Sequence, residues 1–363
     1  AQITEFDSAD IAALTSAAVV GLSSAQVAVL STSAFNALDT AALAALTSDA
    51  VVGITTAQIN TLSTADIQAL GTDIANLTTA AMETLDSGDV LAMTTLQLHA
   101  LDNVDVIALT DAVILSLNST QVNALSTSGF SGLSVADLTA LSSAAVAGIN
   151  AAQVGTLDSA EIQALGTDIA NMSTSALASL SSEQLSALTT DQIAALGLLA
   201  VSALNVNAIA GLSSAQVAAL TSTAFAGLST ADLGALTSAA VVGMTAAQVD
   251  TLDTAEIQAL GTDIANMNTA AMASLNSAQI GALTTDQISN FDSADVNSLL
   301  SADMVGLTSA QVTALSPAAF DALGTDDLGV LTSSAVAGMT AAQVDTLNSA
   351  DVQALGTDIA NMN

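Results

Sequence analysis

Apolar side chains recur at two places in every eight residues of this chain. From Phe6 it divides into FDSADIAA, LTSAAVVG, LSSAQVAV, LSTSAFNA and onward in the same register. Position 1 is mostly Leu, position 2 Ser, Thr, Asp or Asn, and position 3 Ser or Thr. Position 4 is mostly Ala, position 5 Gln, Asp, Glu or Ala, position 6 Ile, Val, Leu or Phe, and position 8 small. A continuous α-helix cannot use this pattern. Eight residues at about 100° each leave the apolar pair drifting by about 80° per octad, so no core-facing stripe survives. A strand fits poorly, because positions 1 and 6 have opposite parity and would face opposite sides. A β-solenoid stays open as the alternative, since Ser, Thr and Val are abundant.

The octad does contain a complete helix-start signal. With position 2 as N-cap, position 5 is N3, where Gln, Glu or Asp closes a capping box, as in Asp158 with Glu161 and Asp253 with Glu256. Positions 1 and 6 become the two halves of a hydrophobic staple. The one proline, Pro317, then falls at N1, the helical site that suits proline. All acids but Glu5, Glu83, Asp250, Asp321 and Asp345 fall at positions 2 to 5, the first helical turn, where the helix dipole favours negative charge. The pattern therefore predicts an all-α solenoid of short capped helices, eight residues per helix. Such helices are unstable alone and must stack. Gly at position 8 falls only in odd-numbered octads counted from Leu14, which favours two helices per coil.

A longer period lies over the octads. ALGTDIAN begins at Ala69, Ala164, Ala259 and Ala354, always 95 residues apart, and each time one block is a heptad. The whole chain, 1–363, reads as one continuous array of super-repeats at about 14–108, 109–203, 204–298 and 299–363, the last incomplete. It opens and closes inside an octad, so an excerpt of a longer array, or a subunit that stacks end to end, is expected. Gly71, Gly166, Gly261 and Gly356 read as residues that end the preceding helix, with the missing residue bending or re-phasing the stack. The other reading of the heptad is a calcium site at Asp73, Asp168, Asp263 and Asp358, although the spacing of a full calcium loop is missing.

Composition narrows the function. The 363 residues include 34 acids, one His and no Lys, Arg, Cys, Trp or Tyr, for a net charge of −34. Without cations the chain cannot neutralise phosphates, so nucleic acid is excluded as a partner. No apolar run is long enough for a membrane span. Catalysis is not expected, because few groups remain to move a proton or hold an anion. Lone His99 reads as a surface residue, and the Met side chains as core filler. Ser/Thr ladders suit ice binding less well than the capping they already perform.

Units such as LTTDQIAALG and LSSAQVAALTS resemble the LTTAQIAAL-like arrays of very large repetitive bacterial surface and secreted proteins. These are similar to secreted adhesins and biofilm-matrix fibre proteins. The resemblance implies an extracellular or cell-surface setting and a structural fibre or stalk that self-associates end to end or laterally. A calcium-dependent adhesin or surface-layer component is the alternative. No catalytic or ligand residue carries over.

Overall fold

The local signals become structure almost everywhere. The computed structural model describes residues 3–361. Among them every element is a short α- or 3₁₀-helix and no strand occurs, which removes the β-solenoid. Position 2 is the N-cap: Asp158 accepts from the amides of Ala160 and Glu161, while Glu161 returns a bond to the Asp158 amide. Pro317 opens the helix Pro317–Asp321 behind its N-cap Ser316. A glycine at position 2 still opens an α-helix, as Gly197 does for Leu198–Ala203 and Gly324 for Thr325–Val330, but a leucine there does not. Leu300 stands there in one full octad, and Ser301–Gly306 winds as a 3₁₀-helix. Positions 1 and 6 point inward together, as Leu157 and Ile162 do, while Gln163 at position 7 is exposed.

The chain forms two compact units, Ala1–Ser179 and Leu180–Asn363. Each is an all-α repeat solenoid. In the first unit Thr32–Phe35 packs on Ser8–Ala12, and Ser48–Val51 on Ser24–Ala28. In the second, Val206–Ile209 packs on Ser182–Ala187, and Ser238–Val241 on Ser214–Ala219. Within each unit these helices thus stack on the third helix before them, and a coil has three sides of one octad each.

This corrects the expectation of two helices per coil. The parity of position-8 glycines misled because the super-repeat has twelve blocks, a number divisible by two and by three, so parity is copied unchanged into every super-repeat. Gly53, Gly148, Gly243 and Gly338 are one position repeated at 95 residues, not independent observations. Their actual cause is close approach of stacked coils. A Cβ on Gly53 would lie 2.1 Å from the Ser24 carbonyl oxygen, and on Gly243 1.9 Å from that of Ser214.

The core is a column of aliphatic side chains from positions 1 and 6. Position 6 of one octad per super-repeat supplies a phenylalanine to it: Phe35 and Phe130 in the first unit, Phe225 and Phe320 in the second, each at most 1% exposed, and Phe291 joins them from a position 1. In the octads of Phe35 and the two that follow, the fifth position is a buried alanine: Ala34, Ala42 and Ala50.

Candidate functional site

The most specific chemistry is internal and lies at the fifth position. Thirteen octads place Gln there and only two place Glu, although either would close a capping box. The structure gives the reason. The Gln153 side-chain oxygen accepts from the Asn150 amide at 2.9 Å, which is the capping box. Its Nε2 donates to the carbonyls of Val122 at 2.7 Å and Leu125 at 2.9 Å, one coil back. Gln58 reaches Val27 and Leu30, Gln248 reaches Val217 and Leu220, and Gln343 reaches Val312 and Leu315 in the same way. One side chain therefore caps the start of its own helix and the end of a helix beneath. A Glu has no donor for the second task. These glutamines are buried, Gln153 completely, and a buried amide is tolerated only when its hydrogen bonds are made. The cross-coil role was missed in the sequence reading, and the bias of Gln over Glu was its signal.

The heptad is the second recurrent feature. Gly71, Gly166, Gly261 and Gly356 all have positive φ, between 53° and 56°. For Gly356 ψ is −130°, so it is not the left-handed helical conformation of the usual C′ glycine but one reserved still more strictly for glycine. The residues that follow, as in Gly71–Asn76, wind as a 3₁₀-helix. That helix rises about 2.0 Å per residue against about 1.5 Å for the α form, so one residue fewer still spans a side of the coil. Gly71–Asn76 keeps its neighbours Ser48–Val51 below and Thr95–Ala100 above, and Gly261–Asn266 likewise sits between Ser238–Val241 and Thr285–Ser289. The heptad thus leaves the three-sided register intact instead of re-phasing it.

The heptad aspartates are each half-buried and stay apart, one per super-repeat. Asp73 accepts from the Ser48 hydroxyl at 2.7 Å, Asp168 from Ser143 at 2.6 Å, and Asp358 from Ser333 at 2.5 Å. Asp263 holds the same place in its heptad. Each of those three bonds ties the heptad to the first residue of the helix beneath it. Among the described residues no three His, Cys, Asp or Glu side chains gather as metal ligands. His99 is exposed, with Nδ1 3.3 Å from the Ala124 carbonyl oxygen, in an open groove beside Asn123 and Asn150. Two further open grooves offer one titratable side chain each, Asp49 and Glu83.

Three capping carboxyls are shifted. Asp89, Asp105 and Asp295 titrate above the ordinary aspartate range because burial disfavours their charged form. The neighbouring N-cap aspartates Asp86, Asp102 and Asp292 repel them further, while the N-cap backbone amide that each accepts pulls the other way.

No described helix is long and apolar enough to cross a membrane. Six stretches, residues 3–40, 130–167, 166–198, 225–262, 262–293 and 320–357, match the ALTTAQ repeat, together more than half of the chain. The six-residue unit stands as ALTTDQ at 187–192 and at 282–287, and its last residue is the bridging glutamine, as in Gln287 to the Ile257 carbonyl at 2.8 Å. No curated protein matches the chain.

Proposed function

The chain belongs to the ALTTAQ repeat family, and from that premise we propose that it works mechanically, as a repetitive spacer or fibre segment outside the cell, not as a catalyst. The observation that carries this reading is the glutamine bridge. The group that caps one coil also closes the coil before it, so coils are added along an array without new chemistry. Side chains that could converge on a substrate are scarce, since Lys, Arg, Cys and Tyr are absent. The net charge of −34 opposes non-specific clumping at neutral pH, leaving self-association to defined end-to-end or lateral contacts. The extracellular setting rests on the resemblance to secreted LTTAQIAAL-like arrays.

Immuno-electron microscopy of intact cells, with an antibody to this chain, tests both halves of the proposal. Labelled filaments or stalks at the cell surface are expected. Label confined to the cell interior would overturn the setting. Surface label on isolated compact particles would overturn the spacer role.

A further inference from the structure

One side of the first unit departs from the repeat. Between residues 83 and 115 the outward positions carry Leu91, Leu96, Val104, Ile107 and Leu115, which are 47%, 71%, 51%, 65% and 48% exposed. The same positions 95 residues on hold Ser186, Asp191, Leu199, Ser202 and Ala210, so most of this apolar surface is not part of the repeat's common design. Exposed aliphatic side chains gathered in one region mark an interaction surface more often than chance.

Three of them share one side of the coils. The helix Asp111–Ile114 packs on Ser87–Ala92. Leu91 lies in the last turn of the lower helix and Leu115 closes the upper one, at the same position of their octads, while Glu83 and Ile107 hold that position in the octads just before them. Glu83 and Ile107 line a common open groove with Thr79, Ala80, Leu109 and Thr110. The polar residues around this apolar strip include the exposed acids Glu83, Asp86 and Asp111 and half-buried Asp89.

We propose that this side docks a cationic amphipathic segment of another protein. Its aliphatic face covers Leu91, Ile107 and Leu115, and its Lys or Arg side chains meet Glu83, Asp86 and Asp111. Charge complementarity selects this occupant. The chain contains no Lys or Arg, so these acids have no cationic partner within it. A second copy would bring another 34 acids and no cation to the same surface. A basic helix with one apolar face supplies both missing elements.

The probe is a synthetic amphipathic peptide of leucine and lysine added to the full chain, with affinity read by fluorescence anisotropy and location by hydrogen exchange. Protection is expected over residues 83–115. The double variant Ile107→Ser/Leu115→Ser should weaken binding at least tenfold, and Val20→Ser/Val52→Ser, which alters exposed valines elsewhere in the same unit, should leave it unchanged. Circular dichroism checks that both variants stay folded. Polylysine, which offers charge alone, should bind without protecting this segment. Protection spread evenly over the acids of the chain, or equal loss from both double variants, overturns the proposal. Concentration-dependent self-association that Ile107→Ser/Leu115→Ser abolishes and the peptide does not displace also overturns it, in favour of a second copy.

Discussion

Replacing Gln153 by Met keeps the volume of the side chain and deletes its hydrogen bonds. Three are lost: the Asn150 amide at 2.9 Å, the Val122 carbonyl at 2.7 Å and the Leu125 carbonyl at 2.9 Å. The Val122 oxygen keeps the Leu125 amide as a partner, which limits the damage there. At about 1 kcal/mol net for each bond, the loss comes to about 3 kcal/mol. Glu161 supplies the control, since it closes a capping box on the Asp158 amide at 2.8 Å in the next helix of the same unit. Glu161→Met should cost only about 1 kcal/mol, the worth of a capping interaction. The difference, about 2 kcal/mol, is the cross-coil bridge. Long arrays do not unfold in one step, so the assay is native-state hydrogen exchange read at the amides of Val154 and Ile162, not a global melt. Gln153→Glu adds a pH signature. Its carboxylate faces two carbonyl oxygens in a buried place, so its folded pKa rises above the ordinary glutamate value. The penalty is then smallest at low pH and grows as pH rises through the folded pKa. Equal costs for Gln153→Met and Glu161→Met, or a Gln153→Glu chain as stable as the parent at neutral pH, would refute the bridge.

The remaining expectations separate other causes. Gly71→Ala meets no atom within 4 Å and should cost about 1–2 kcal/mol through its positive φ alone, whereas Gly53→Ala, whose Cβ would lie 2.1 Å from the Ser24 oxygen, should cost more and loosen the coils; urea titration followed by circular dichroism ranks the two. Val51 is fully buried and its neighbour Val52 is 46% exposed, so Val51→Asp should cost several kcal/mol and Val52→Asp almost nothing in the same titration. Gly324→Ser should stabilise by a few tenths of a kcal/mol, because Gly324 has no side chain to accept from the Asp327 amide, while Ser134 and Ser229, the same position in earlier super-repeats, accept from the Asp137 and Asp232 amides. Asp89, Asp105 and Asp295 have raised folded pKa values, so their contribution is present below the ordinary aspartate value and lost as pH rises. Changing all three to Asn should therefore slow native-state hydrogen exchange in the helices they cap at neutral pH, with the advantage shrinking on acidification.

What the sequence by itself determined lies within a few residues along the chain. The N-cap, the capping box, the site of Pro317 and the inward pair at positions 1 and 6 are local interactions, and their geometry follows from residue types three or four apart. The positive φ of Gly71 and its equivalents was legible for the same reason, although Gly356 shows that the conformation differs from the left-handed helical one expected. Tertiary structure alone decided how many helices make a coil, because a twelve-block period accommodates two, three or four per coil equally well. Once three sides close a coil, residues 24 to 31 apart become neighbours. Only then does Gln153 meet Val122, Gly53 meet Ser24, and Asp73 meet Ser48. Those pairs carry no local signature, since a glutamine at N3 caps its own helix in the same way whether or not another coil lies beneath it.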